Sequence, residues 1–270
     1  YGVTTFMDIF HQYAPGPVAR LSDDKPIAPT EKKLSGFVFK VQANMDKRHR
    51  DRVAYIRLCS GKFERGMKVK HMRLNKEIRL AYSNQFFADE RSTIDEAYAG
   101  DIIGVNDTGN FRVGDNISEG KKVNFGAIPR FSPEFFARVR LKDVSKKKHL
   151  EKALRQFSEE GSIQLFIEPA VGWQDPIIGV VGELQFEVIL HRFDDEYNID
   201  VSLQRLPIHV ARWPRTSDGA PYTGDIKGSM LNVLDAYEEK VVLLEKEWDL
   251  NWAVRENPDV VFASSIEPSR

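Results

Sequence analysis

Phe135-Phe-Ala-Arg-Val-Arg-Leu141 puts an apolar residue at every odd position and Arg at two of the three even ones. A period of two marks a strand with one wet face. Leu150, Ala153, Leu154 and Phe157 then recur at helical spacing, and Gly161 stops that helix. Ile163 to Ile167 and Ile177 to Val181 read as two strands joined through Pro169, Gly172 and Pro176. Leu184, Val188 or Ile189, and Phe193 mark a second helix, and Ile199, Val201 and Leu203 alternate as a further strand. The order β-α-β-β-α-β predicts a ferredoxin-like domain.

Upstream the pattern changes to many short β-rich runs: Gly36 to Val41, Arg52 to Cys59, Met67 to Leu74, Glu77 to Ala81 and Ile102 to Val105. Turn signals at Ser60-Gly61, Gly66, Asn75-Lys76, Gly100-Asp101 and Gly114-Asp115 separate them, as in a small β-barrel. Before Leu34, a short helical pattern at Phe6, Ile9, Phe10 and Tyr13 and four prolines read as the end of a preceding helix and a linker. Beyond Gly224, Leu231, Leu234, Val241, Val242, Leu244 and Trp248 follow a helical period among many acids. The predicted organisation is thus a linker over 1–33, a barrel over 34–128, and a ferredoxin-like domain with a helical tail over 129–270. Ile208 to Trp213 is expected to add an edge strand.

The net charge of −1 conceals an uneven distribution. Residues 1–128 hold 21 Lys/Arg against 16 Asp/Glu, a net +5, while 129–270 hold 18 against 24, a net −6. Leu34 to Arg79 alone holds 13 basic and 4 acidic residues, or +9, enough to attract phosphate. No apolar run approaches the ~18 residues of a membrane span, and the opening Tyr-Gly-Val-Thr-Thr has no signal-peptide pattern. The chain reads as a cytosolic piece of a longer one. Its single Cys59 sits in an apolar run and is expected to be a small buried residue.

Several motifs point to enzymes and fail on their missing partners. His49-Arg50-Asp51 resembles a kinase catalytic loop, but Ile56 stands where the metal-binding Asn is needed. Gly61-Lys-Phe-Glu-Arg-Gly66 has the glycine spacing of a phosphate loop, yet Met67-Lys68 replace the Lys-Ser/Thr that must reach phosphate and Mg²⁺, so a turn between strands is expected. Asn106 and Asn116 begin Asn-x-Ser/Thr triplets and are read as turn residues. The six His have no paired spacing, so no metal site is expected, and Glu159-Glu160 and Asp194-Asp195-Glu196 read as solvated helix ends, leaving no catalytic acid/base pair. The four Trp, all in the second half, read as packing residues.

The remaining signal is basic. Lys47, Arg48, His49, Arg50 and Arg52 surround a loop between two strands, and Lys142, Lys146, Lys147 and Lys148 cluster between the first strand and helix of the second domain. Both are candidate RNA contacts; the competing reading of each is a salt-bridged surface. Neither offers the recognition helix or Cys/His finger of a DNA reader, so backbone shape rather than base sequence would be read.

Gly36-Phe-Val-Phe-Lys-Val-Gln-Ala-Asn-Met-Asp-Lys-Arg-His-Arg-Asp-Arg-Val-Ala-Tyr55 resembles the start of domain II of the bacterial peptide chain release factor 3 family, a group of translational GTPases. Ser60-Gly61 and Gly66-Met67 are a turn shared by translation-factor barrels generally. Arg140-Leu-Lys-Asp143, Leu154 with Ser158-Glu-Glu-Gly161 and Gln164, Gly179-Val-Val-Gly-Glu-Leu-Gln-Phe186, Arg192, Glu196-Tyr-Asn198 and Ala211-Arg-Trp213 resemble the same family's domain III. Elongation factor G shares parts of this second pattern but would not be expected to carry the Asn44 to Arg52 stretch.

The resemblance implies a translation-factor barrel followed by a ferredoxin-like domain, docking on the small ribosomal subunit through rRNA and ribosomal protein S12. It implies that the full factor, with GTP and Mg²⁺ on a G domain lying outside these residues, promotes departure of the stop-codon-reading class I release factor after peptide release. No nucleotide-binding residue of that G domain matches a position here, so no catalytic or cofactor-binding residue is carried over. A non-translational RNA-binding module is the other reading the basic residues allow.

Overall fold

The structure, a computed structural model, describes residues 2–43, 52–80, 83–87, 90–126, 130–228 and 230–266. They form two compact units, one ending at Gly126 and the other running from Arg130.

The first unit opens with α1 (Val3–Tyr13), followed by β1 (Arg20–Ser22), β2 (Lys25–Ile27), β3 (Ser35–Ala43), β4 (Arg52–Ser60), β5 (Lys62–Glu64) and β6 (Lys68–His71). It continues with β7 (Lys76–Arg79), β8 (Ser83–Phe87), β9 (Glu90–Thr93), β10 (Glu96–Tyr98), β11 (Ile102–Asp107) and β12 (Asn116–Ser118). Eight of these strands make a sheet in the order β7-β6-β12-β3-β4-β11-β8-β9, while β5 pairs with β10 and β1 with β2. The β-branched alternation of β3, β4 and β11 sends Val38, Val41, Ile56, Leu58, Ile103 and Val105 into one core with Leu34, Phe63, Phe111 and Ile117. Gly61 turns the chain between β4 and β5 at φ 73°, and a Cβ there would stand 2.5 Å from the Leu34 nitrogen, so only glycine fits. The segment that resembled a phosphate loop is therefore the β4–β5 turn and strand β5, paired with β10.

Part of the stretch read as a linker, from Ser22 to Glu31, is tied to this unit, while α1 buries no residue. Asp23 N donates to Asn124 O at 3.1 Å, and Asn124 N donates to Ser22 Oγ at 2.9 Å. Lys121 pairs with Glu31. Asn106 and Asn116 stand in β11 and β12 rather than in turns. Cys59 is buried as expected, and burial pushes its thiol up to about 11.

The second unit comprises β13 (Arg130–Phe131), β14 (Phe135–Leu141), α2 (Lys147–Glu159), β15 (Gln164–Ile167), β16 (Ile177–Val180), α3 (Leu184–Tyr197) and β17 (Val201–Leu206). Beyond them lie β18 (Val210–Arg215), β19 (Leu231–Asp235), β20 (Lys240–Leu244), α4 (Glu247–Glu256), β21 (Val261–Ala263) and β22 (Ser265–Ile266). The order β17-β14-β16-β15 is that of a ferredoxin-like sheet. Ala137, Val139, Leu165, Ile178 and Val180 face Leu150, Leu154 and Phe157 of α2 and Phe186, Ile189 and Phe193 of α3. Gly179 in β16 is required by close approach, since a Cβ would meet the Pro133 ring at 2.6 Å. Asn198 ends α3 at φ 52°, a left-handed position that Asn tolerates.

The sheet does not stop at β15. It continues through β19, β20, β18 and β21, so β18 is an interior strand rather than an edge. Phe136, Phe166 and Ile177, on the face opposite the helices, pack with Trp213, Val233, Val241, Leu243 and Ile266 in a second core. The tail is accordingly more strand than helix: Leu231 to Leu244 form the hairpin β19–β20, and the expected helix is confined to α4. The physical reason lies in Val241-Val-Leu-Leu244. Val241 and Leu243 point into one cluster and Val242 and Leu244 into another, and a strand buried on both faces loses the alternation that identifies it.

Candidate nucleic-acid interface

Lys47, Arg48, His49 and Arg50 lie outside the described residues. Arg52, at the start of β4, is turned inward: its Nε is 2.9 Å from Asp107 Oδ2 and its Nη2 donates to Phe111 O at 2.5 Å. Asp107 Oδ1 accepts the backbone N–H groups of Gly109 at 3.0 Å and Asn110 at 2.7 Å. The Arg52 side chain is 13% exposed and that of Asp107 fully buried, so this charge shapes the turn after β11 rather than meeting a ligand.

Four other described cations of the basic stretch are paired as well. Lys62 Nζ lies 2.7 Å from Glu96 and 3.2 Å from Glu64, whose hydrogen bonds hold its ammonium above the usual lysine range. Arg65 meets Asp95 at 3.1 Å and Lys68 meets Glu77 at 2.8 Å. Arg73 grips Asp115 with Nε at 2.6 Å and Nη2 at 2.8 Å. Buried His71 stands 3.0 Å from the same carboxylate and stacks on Phe111. Burial pushes the Asp115 carboxyl up, but Arg73 and His71 outweigh it and leave it below the usual aspartate range. Asp95, Glu96, Asp107 and Asp115 all come from beyond the +9 stretch, and folding brings them back onto it. Among the described residues, Lys40, Arg57, Lys70, Lys76 and Arg79 of that stretch have no carboxylate within ion-pair distance, although Lys40 lies over the Tyr55 ring and Arg79 Nε donates to Gly66 O at 3.1 Å.

The second cluster divides into anchors and free cations. Lys142 Nζ lies 2.9 Å from the Asp200 carboxylate, and Lys146 Nζ donates to Asn198 O at 2.5 Å, so both tie the end of β14 to the turn before β17. Asp143 caps the short 3₁₀ turn ahead of α2, accepting Ser145 Oγ–H at 2.7 Å and Ser145 N–H at 3.0 Å; these bonds hold its carboxyl below the usual range. Lys147 and Lys148 open α2 with no carboxylate within ion-pair distance among the described residues. The first turn of α2 contains no acid, so the positive end of the helix adds to their field. Farther along the helix, Arg155 lies 4.5 Å from the centre of the Trp173 ring. The arrangement suits attraction of a phosphate backbone and contains no acid/base pair for chemistry.

Three residues behave differently from their sequence reading. Glu160 is not a solvated helix end: its side chain is 4% exposed and lies 2.9 Å from Arg192, which also holds Glu196 at 2.5 Å and covers the Phe157 ring. Burial pushes the Glu160 carboxyl up, more than Arg192 pulls it down. Trp213 is fully buried and Trp173 packs against the helix-side core, whereas Trp248 is 69% exposed and Trp252, 40% exposed, lies against Gly228 outside either core. The signal for both was their place among acids on a short helix. No group of His, Cys, Asp or Glu among the described residues is arranged to hold a metal ion, and no described helix is long and apolar enough to cross a membrane.

Comparison with known proteins follows this division into two units. Residues 33–120 match the family model for Elongation factor G domain 2, and residues 125–254 match that for Class II release factor RF3, C-terminal domain. A Symbiobacterium thermophilum protein named Peptide chain release factor 3 is 46% identical over 274 aligned residues, covering 99% of this chain and 50% of that protein. Proteins of the same name from Listeria welshimeri and Listeria monocytogenes are 45% identical over 98% of this chain and 50% of theirs. The chain thus spans about half the length of the curated relatives it matches. A crystal structure of a Thermus thermophilus protein shares the fold at a TM-score of 0.58 and 21% identity, covering 87% of this chain and 34% of that one. With relatives of one name along nearly its whole length, and that family's C-terminal domain across its second unit, the chain belongs to the peptide chain release factor 3 family.

Proposed function

We propose that this chain is the ribosome-docking part of a translation-termination factor that, with GTP and Mg²⁺ on a G domain outside these residues, promotes departure of the class I release factor after peptide release. The observation that carries the reading is 46% identity to a protein named Peptide chain release factor 3 across 99% of the chain. The geometry supports it at the start of α2. Lys147 and Lys148 are held on a helix packed against a sheet, so their charges are presented without cost of ordering the backbone. Small-subunit rRNA is the phosphate-bearing partner in this reading, and ribosomal protein S12 a protein one.

Phosphate binding by lysines releases condensed counterions, so affinity falls with salt. If about 6 phosphates are neutralised at a slope near ~0.7 each, binding weakens on the order of 10²-fold between 50 and 200 mM salt. The test is co-sedimentation with ribosomes at those two salt concentrations, comparing the chain with a Lys147→Glu/Lys148→Glu variant and an Arg48→Glu/Arg50→Glu variant. Arg52 is left intact because its loss would disturb the barrel. Salt-sensitive binding lost in either variant supports docking through that cluster; binding that ignores both salt and charge reversal overturns the reading.

A further inference from the structure

Strands β3 and β4 carry aromatic side chains that take no part in the barrel core. Val38 and Val41 of β3 and Ala54, Ile56 and Leu58 of β4 point inward. The positions that alternate with them put Phe37, Phe39, Val53, Tyr55, Arg57 and Cys59 on the outer face. Phe39 and Tyr55 are half-buried there, their rings 6.4 Å apart and tilted by 55°. Gly104 of β11 stands directly opposite Tyr55 and so sets no side chain against its ring. The strands hold both rings in place, and a partner would not have to order them.

Cations surround these rings. Lys40 Nζ lies 5.3 Å from the centre of the Tyr55 ring, and the Arg20 guanidinium 5.0 Å from that of Phe37. Arg57 follows Tyr55 by two positions on the same face, and the fields of Arg20 and Arg57 both reach the Cys59 thiol. None of the three cations has a carboxylate within ion-pair distance among the described residues. The acids at the ends of these strands are Asp23 and Asp24 in the β1–β2 turn and Asp101 and Asp107 at the two ends of β11. Asp23 accepts from Asn124 Nδ2 at 2.7 Å, Asp101 accepts from Tyr98 N at 2.8 Å, and Asp107 is turned inward to Arg52. The outward positions of β11 are Ile102, Gly104 and Asn106, so β3, β4 and β11 present no acid on this face.

Fixed aromatic rings beside cations without counter-charges match an unpaired nucleotide strand, whose bases have flat faces to stack and whose phosphates take the cations. An acidic protein segment would use the cations and leave the rings without a flat partner, and a duplex keeps its base faces covered. We propose that the outer face of β3 and β4 is a stacking platform for single-stranded RNA, with bases laid on Phe39 and Tyr55 and phosphates met by Arg20, Lys40 and Arg57. The choice of RNA rests on the ribosome reading; the stacking surface does not, and it differs from the α2 lysines, which present charge alone.

The test is titration of a fluorescently labelled RNA of about eight nucleotides, within the site sizes of small barrels, with the 270-residue chain, read by anisotropy. The expected result is saturable binding that is roughly tenfold weaker in Tyr55→Ala and little changed in Tyr55→Phe, which keeps the ring. Lys40→Glu/Arg57→Glu should bind more weakly and with a shallower salt dependence. A duplex of the same strand should bind more weakly than the strand alone. Equal affinity in Tyr55→Ala overturns the proposal, as do a duplex bound as tightly as the single strand, equal loss in Tyr55→Ala and Tyr55→Phe, or no saturable binding by the parent. Where Tyr55→Ala loses hydrogen-exchange protection in β4, the Lys40→Glu/Arg57→Glu variant decides, and unchanged affinity there overturns the proposal. Self-association of the chain abolished by Tyr55→Ala would assign the face to a second copy and overturn it too. Ribosome co-sedimentation is read separately: if it is salt-sensitive while oligonucleotide binding ignores Tyr55, the platform fails and the ribosome reading stands. Tyr55-dependent oligonucleotide binding without ribosome binding has the reverse meaning.

Discussion

The barrel and the start of α2 both carry a run of basic residues, and the fold holds part of each run by different means. In the barrel, Arg52, Lys62, Arg65 and Arg73 meet carboxylates from residues 95–115 and Lys68 meets Glu77, so half of the described cations of the basic stretch are answered within the unit. At α2, Lys142 and Lys146 act as anchors, and half-buried Lys147 and exposed Lys148 have no carboxylate within ion-pair distance among the described residues. A charge run in sequence is thus no measure of a field in space: what counts is whether the topology folds acids back onto it. Exposed pairs such as Lys68–Glu77 contribute only about 0–1 kcal/mol of stability, but each removes a charge from the external field.

This contrast can be broken by mutation. Asp107→Ala leaves the inward-turned Arg52 without its counter-charge and frees the N–H groups of Gly109 and Asn110; it should destabilise the barrel by about 3–5 kcal/mol, read as lost hydrogen-exchange protection in β4 and β11. Barrel stability unchanged by this substitution would mean that Arg52 is available to a ligand after all. Arg192→Met, which strands Glu160 in the second unit, should cost about 3 kcal/mol in urea unfolding followed by tryptophan emission, a signal that reports this unit alone because all four Trp lie in it.

The two units should also respond to acid with opposite sign. Asp115 has a lowered pKa in the fold, so its contribution is present above the unfolded value near ~3.9 and is lost as pH falls through the folded one. Glu160 has a raised pKa, so stability is lost as pH rises from the unfolded value near ~4.3 through the folded one, and mild acid restores it. Asp115→Asn should flatten the acid limb of barrel stability and Glu160→Gln that of the second unit. The smallest effect on stability belongs to the free lysines: Lys147→Glu/Lys148→Glu should stay within about 0.5 kcal/mol of the parent while lowering the salt slope of ribosome binding by about 1.4, the share of two phosphate contacts.

The ferredoxin-like half was legible because its signals are local. A change of period from two to 3.6 at Leu150, and back at Ile163, marks elements whose wet and dry faces differ. The β19–β20 hairpin was not, because both faces of Val241 to Leu244 are dry and the run carries no period. Lys147 and Lys148 could be named as candidate contacts from sequence because both stand in an unbroken run of lysines. The inward turn of Arg52 could not be read, since Asp107 lies far along the chain and only the pairing of β4 with β11 brings the two together. The same holds for Glu160 and Arg192, on neighbouring helices, and for the exposed indoles of α4, whose spacing alone matches that of core residues.

One pairing bears on the order in which the protein can acquire its shape during synthesis. Arg130 of β13 pairs with Ile266 of β22, so the strand that opens the second unit finds its partner only once residue 266 has been made. The barrel sheet, by contrast, has joined β12 to β3 by Ser118. A chain made from its N-terminus can therefore finish the barrel while β14 is still untranslated, but the apolar face of Phe136, Phe166 and Ile177 stays uncovered until Trp213, Val233, Val241 and Leu243 have been made, and Ile266 closes it last. Truncation before β18 should leave a folded barrel tethered to an aggregation-prone half.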